Sequence, residues 1–106
     1  MAIIQTLLYR VRQGKNQQFL ADVAVAKKIL ERLGARVRVL NEVIGTNAPC
    51  TIFIAESEDW NAYGELQAKM ETDLEWQKVV AKAVLDNRDP VADPIGTGLS
   101  VDIPLG

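Results

Sequence analysis

Four arginines, Arg10, Arg12, Arg36 and Arg38, occupy alternate positions in two stretches that switch between apolar and polar residues. On extended backbone that spacing puts them on one face. Glu42, Ser100 and Asp102 fall on the same face by the same alternation, with Glu56 a further candidate. Two chemistries suit this set. One is an anion clamp, in which guanidinium groups hold a carboxylate or phenolate in a polar cavity. The other is a network of cross-strand and intersubunit ion pairs, the commoner use of such charges. Both predict charges with partners rather than charges in open water. Tyr9, Trp60, Tyr63 and Trp76 form a second set. They suit the wall of an apolar pocket with a few polar groups, or simply aromatic core. The candidate ligand pocket is therefore Tyr9, Arg10, Arg38, Trp60, Tyr63 and Trp76.

Other chemistries are struck off by residue type. The chain has no histidine. That removes Ser-His-Asp and Cys-His catalysis, the commonest metal ligand and the usual base near neutral pH. Cys50 is the only cysteine. No intrachain disulfide and no thiolate metal cage can form, so no metal is expected. Without a histidine to activate it, Cys50 reads as a buried, inert thiol. Gly96-Thr97-Gly98 lacks the strand before it and the helix after it that a dinucleotide fingerprint needs. No cofactor is expected from these residues.

The 106 residues suit one domain, residues 1–106, with a single core. The formal net charge of -2 gives no basic excess to neutralise phosphates, so a nucleic-acid partner is not expected. Lysines and arginines are scattered among acids, without the polybasic block that a membrane surface attracts. The N-terminal stretch does not read as a secretory signal, and nothing approaches the length of a membrane span. The expected compartment is the cytoplasm.

Local pattern supplies the elements that must position these residues. Ile3 to Arg12 reads as a strand, with Leu7, Tyr9 and Val11 on one side and Thr6, Leu8, Arg10 and Arg12 on the other. Lys15 to Leu33 is a helix whose stripe is Phe19, Val23, Ala26, Leu30 and Leu33, widened by Leu20 and Ile29. Gly34 stands where a left-handed cap is wanted. Ala35 to Ile44 alternates valine with arginine, as in a sheet with one packed and one polar side. Cys50 to Glu56 is an apolar strand. Ser57 or Asp59 caps a helix from Trp60 to about Met70. Thr72 and Glu75 match a capping box, opening a helix to about Asp86 with Trp76, Val80 and Ala83 on one side. Asn87 to Pro94 reads as a linker, and Leu99, Val101 and Ile103 mark a last strand. The order is β-α-β-β-α-α-β. It predicts an α+β, ferredoxin-like sandwich: an antiparallel four-stranded sheet in the order four-one-three-two, with the helices on one face.

Four stretches carry a resemblance. They are Tyr9-Arg10-Val11-Arg12-Gln13-Gly14-Lys15, Leu33-Gly34-Ala35, Ile54-Ala55-Glu56-Ser57-Glu58-Asp59-Trp60 and Asp73-Leu74-Glu75-Trp76-Gln77. The last is similar to an Asp-Pro-Glu-Trp helix start, with Leu74 at the proline position. Together they resemble the NIPSNAP-like families of the dimeric α/β-barrel superfamily. The resemblance implies a homodimer in which two sheets face each other as a dimeric α/β barrel. It implies no one activity, because NIPSNAP-like proteins are mostly without an assigned reaction. Related barrel families include cofactor-independent monooxygenases and haem proteins, and the haem-binding branches use a histidine that this chain lacks.

Three functions remain in view. The favoured one is a homodimeric domain that binds a small apolar or aromatic acid ligand, or a partner, between sheet and helices. A second is a cofactor-independent monooxygenase-like enzyme acting on an aromatic or polyketide-like substrate. A third is a structural oligomerisation unit whose cleft is filled by Trp60 and Trp76.

Overall fold

The computed structural model describes residues 1–85 and 89–105. Strand β1 (Ile3–Val11) leads to helix α1 (Asn16–Arg32), strands β2 (Arg36–Glu42) and β3 (Cys50–Ser57), helices α2 (Trp60–Thr72) and α3 (Leu74–Leu85), and strand β4 (Ala92–Val101). The strands lie in the order β2-β3-β1-β4, and every neighbouring pair is antiparallel. This is the four-one-three-two order read from the other edge.

Register separates the two faces of the sheet. Leu7 and Val39 both pair with Phe53, and Val37 pairs with Ala55, so these side chains share one side. The helices pack there. Leu30 of α1 and Leu66 of α2 join Ala35, Val37, Phe53 and Ala55 in the buried core. Burying a large apolar side chain of this kind stabilises by about 1.5–3 kcal/mol. The thinnest dimension of the molecule is 17 Å. A helix about 10 Å across on one sheet accounts for it, so among the described residues no second layer covers the other face of the sheet.

Helix ends follow local chemistry. Gly34 adopts φ 109°, which disfavours any side chain, and its N–H donates to the Glu31 carbonyl at 3.1 Å while Ala35 N–H reaches Leu30 at 3.0 Å. Asp59 caps α2 by accepting from Ala62 N–H at 2.8 Å.

Four expectations are corrected. The capping residue of α3 is Asp73, which accepts from Trp76 N–H at 2.9 Å; the Thr72 hydroxyl donates back to the Lys69 carbonyl instead. The last strand begins at Ala92 and ends at Val101, so Ile103 lies beyond it. Asp93 and Pro94 belong to that strand because it is an edge, where a missing N–H is tolerated, and because its register shifts opposite Leu8 and Tyr9. Leu20 is exposed and does not widen the core stripe of α1. On α3 the inward side is Trp76, Val79 and Ala83, and Val80 is exposed. The expected end of this helix at Asp86 and the start of the linker at Asn87 lie outside the described residues.

The uncovered face is ordered in rows. Leu40, Ile52 and Leu8 lie side by side across the sheet and end at Gly96. The next row is Arg38, Ile54, Thr6 and Gly98, and the next is Arg36, Glu56, Ile4 and Ser100. Arg10 stands opposite Asp93 beyond the apolar row. Of the predicted grouping, Arg10, Arg36, Arg38, Glu42, Glu56 and Ser100 share this face, whereas Arg12 and Asp102 lie just beyond the ends of β1 and β4. No helix among the described residues is long and apolar enough to cross a membrane.

Candidate functional site

A cavity of about 350 Å³ lies between the helix-covered side of the sheet and the helices, within the size range of small-molecule sites. Its floor is Leu7 and Tyr9 of β1 with Phe53 of β3. One wall is α1, through Phe19, Asp22, Val23 and Ala26 at steps of three and four, which fall on one side of a helix. The facing wall is α3, through Trp76, Val79, Lys82 and Ala83. Pro90, Val91 and Ala92, leading into β4, close the end. Small side chains explain why space remains. Ala26, Ala83 and Ala92 come from three different segments and cannot fill the gap that Leu30 and Leu66 fill at the other end of the layer.

The polar groups of the cavity are few. The Tyr9 ring packs against Phe19, with centroids 5.9 Å apart and planes tilted by 59°. Burial pushes the Tyr9 hydroxyl above its ordinary value of 10.0, because the phenolate loses water. Tyr9 is therefore a neutral hydroxyl at physiological pH. Asp22 and Lys82 bring the two walls together in an ion pair of 3.3 Å.

The segment closing the end is held by two further pairs. Lys15 binds Asp89 at 2.7 Å and Arg12 binds Asp93 at 2.9 Å, while Arg12 N–H donates to the Val91 carbonyl at 3.0 Å. The hydrogen bond from Arg12 holds the Asp93 carboxyl below the usual carboxylate value, and Lys15 does the same for Asp89.

The six candidate residues separate into three places. Tyr9 and Trp76 meet at the cavity. Arg10 and Arg38 sit on the opposite side of the sheet; Arg10 donates to the Asn47 carbonyl at 3.2 Å. Trp60 and Tyr63 stack edge-to-face on each other, 5.9 Å apart at 86°, in the first turn of α2 and away from the cavity lining. Cys50 is buried. Loss of water first, and the neighbouring Glu42 carboxylate second, push its thiol up, which agrees with the inert reading.

Sequence reasoning missed Asp22, Lys82 and the alanines. Their signals were present: Ala26 and Ala83 are small residues inside apolar stripes, and Asp22 and Lys82 are single charges beside them. What was missing was that the two stripes face each other.

No family model matches the chain, and no curated protein matches it. Solved structures do. A NIPSNAP domain protein from Burkholderia xenovorans is 17% identical, covering 98% of this chain and 97% of its own, with a TM-score of 0.70. A NIPSNAP family protein from Agrobacterium tumefaciens is 19% identical, covering 99% of this chain and 89% of its own, with a TM-score of 0.69. A point mutant of SnoaB, a cofactor-independent oxygenase from Streptomyces nogalater, is 14% identical, covering 95% of this chain and 92% of its own, with a TM-score of 0.67. At these identities the likeness shows the fold, and the fold is that of NIPSNAP-type proteins, as the sequence motifs implied.

Proposed function

We propose that the chain is a homodimeric, cytoplasmic domain that binds a small apolar or aromatic acid ligand in the cleft between sheet and helices. The observation that carries the ligand is the cavity of about 350 Å³, lined mostly by apolar side chains with Tyr9 among them. It speaks against the cleft-filling structural unit, because Trp76 forms only one wall and Trp60 lies elsewhere. The dimer is supported by the uncovered sheet face, whose apolar row of Leu40, Ile52 and Leu8 is flanked by arginines and glutamate. An apolar centre with a charged border is how subunit interfaces are built.

Native mass spectrometry of freshly purified protein tests both parts. The expected result is a dimer carrying a small extra mass. A monomer at micromolar concentration would sink the dimer. The Ala83→Phe variant then tests the cavity: it should lose the extra mass and keep its fold, since Ala83 lies at the exposed edge of the wall.

A second reading is a cofactor-independent oxygenase-like enzyme on an aromatic or polyketide-like substrate. The likeness to SnoaB favours it. In that reading the substrate's own enolate supplies electrons, and the neutral Tyr9 hydroxyl donates a hydrogen bond to the developing oxyanion. Oxygen uptake with a fused-ring phenol, lowered in Tyr9→Phe, is the expected sign; uptake equal to a protein-free control would dismiss it.

A further inference from the structure

We propose that the Asp22–Lys82 pair sets the charge of the ligand: closed on itself, it admits uncharged ring compounds and turns carboxylates away. The inference rests on the cavity being a ligand site, and it selects within the apolar or aromatic-acid class.

Among the described lining residues Asp22 and Lys82 are the two charged side chains, and they are of opposite sign. They come from facing helices and cancel each other at 3.3 Å. The neighbouring pairs, Lys15 with Asp89 and Arg12 with Asp93, are cancelled in the same way. The arginines that suit an anion clamp, Arg10 and Arg38, are across the sheet. A carboxylate that enters therefore has two choices. It can lie uncompensated among Leu7, Phe19 and Phe53, which burial strongly disfavours. Or it can share Lys82 with Asp22, which crowds two carboxylates onto one ammonium at the half-exposed mouth and leaves a net negative charge there. An uncharged ring compound meets neither cost. A carbonyl on its outer edge can accept from the Lys82 ammonium, and a hydroxyl can donate to Asp22, with the pair intact. The raised Tyr9 value points the same way, since the surroundings that disfavour a phenolate disfavour any anion. Both members of the pair remain about half exposed, so the pair adds little to stability. Its effect is on what enters.

The pair also predicts a switch. Asp22→Asn leaves Lys82 without its counter-ion and so opens the mouth to acids. Lys82→Met leaves Asp22 unbalanced and closes it to acids further.

Naphthol and naphthoate, alike in ring and different in charge, are the probes. Each is titrated into the full chain and both variants by NMR, with the Trp76 indole N–H reporting occupancy. The expected result at neutral pH is naphthol binding roughly tenfold or more tighter than naphthoate to the parent chain. In Asp22→Asn that ratio should fall by about tenfold through tighter naphthoate binding, and in Lys82→Met it should rise. Equal binding of the two probes by the parent, or an unchanged ratio in Asp22→Asn, would overturn the pair's role while leaving the ligand site standing. No shift of the Trp76 signal with either probe in any variant would overturn the ligand site itself, and this proposal with it.

Discussion

The two faces of the sheet are made by the same strands and differ in what they meet. Leu7, Tyr9, Val37, Val39 and Phe53 point to the helices, and their neighbours Leu8, Arg10, Arg36, Arg38 and Ile52 point away. The covered face is buried and apolar where the helices lie over it, at Val37, Phe53 and Ala55, and opens toward β4, where Leu99 is exposed. On the uncovered face one row, Leu40, Ile52 and Leu8, is wholly apolar, and the next rows interleave Ile54 and Ile4 with Arg38, Arg36 and Glu56. A face meant for bulk water needs no row of Leu40, Ile52 and Leu8. A face meant for a protein core would not border them with arginine and glutamate. Mixed composition of this kind suits the proposed dimer interface. The glycines at its β4 side, Gly96 and Gly98, add no side chain to this face.

The two faces should respond differently when a residue of one is removed. Phe53→Ala removes a buried ring shared by core and cavity floor. It should cost about 3–5 kcal/mol in urea unfolding and abolish ligand binding. On the uncovered face, Leu8→Glu should weaken self-association roughly hundredfold, about 2.7 kcal/mol, as read by sedimentation. Unfolding of its separated monomer should be little changed. If Leu8→Glu leaves association intact, the uncovered face is not the dimer surface and the contrast between faces loses its meaning.

Smaller effects test how the helical layer is held over its face. Asp59→Ala deletes the cap of α2 and should cost about 1 kcal/mol by thermal or urea unfolding, without altering association. Asp73 is held below the ordinary value of 3.8, first by Trp76 N–H and then by Arg32, which donates at 2.9 Å. A lowered carboxylate value means stability that is fully present above the unfolded value and lost as pH falls through the folded one. Asp89 and Asp93 share the direction. Melting temperature should therefore fall on acidification below about pH 4. Asp73→Asn should lower it at neutral pH and flatten part of that acid dependence. An acid profile identical to the parent's would show that this cap contributes nothing through its charge.

Most of the fold was legible because its signals are local. The stripe of α1, the valine and arginine alternation of β2 and the glycine after α1 each depend on residues within a few positions of one another. Where local reading failed, a longer-range fact decided. Asp93, Pro94, Gly96 and Gly98 look like a loop, and they form a strand because β1 pairs with that segment along its length. Thr72 fits a capping box, yet Asp73 also reaches Arg32 of α1, so the helix opens one residue later. Trp60 and Tyr63 share a helix face with Leu66, but the first turn of α2 carries them past the cavity toward each other.

The sequence by itself determined which side of each strand is apolar and which carries charge, because side chains alternate at every residue whatever lies above them. It also determined the order of elements and the absence of histidine chemistry. Only the tertiary structure decided that Tyr9 and Trp76 meet at one cavity while Trp60 and Tyr63 lie apart from it. Only it could bring Asp22 to Lys82, sixty positions apart, and leave a space beside three alanines. A cavity is a property of the distance between α1 and α3, and no residue carries that distance in its own type.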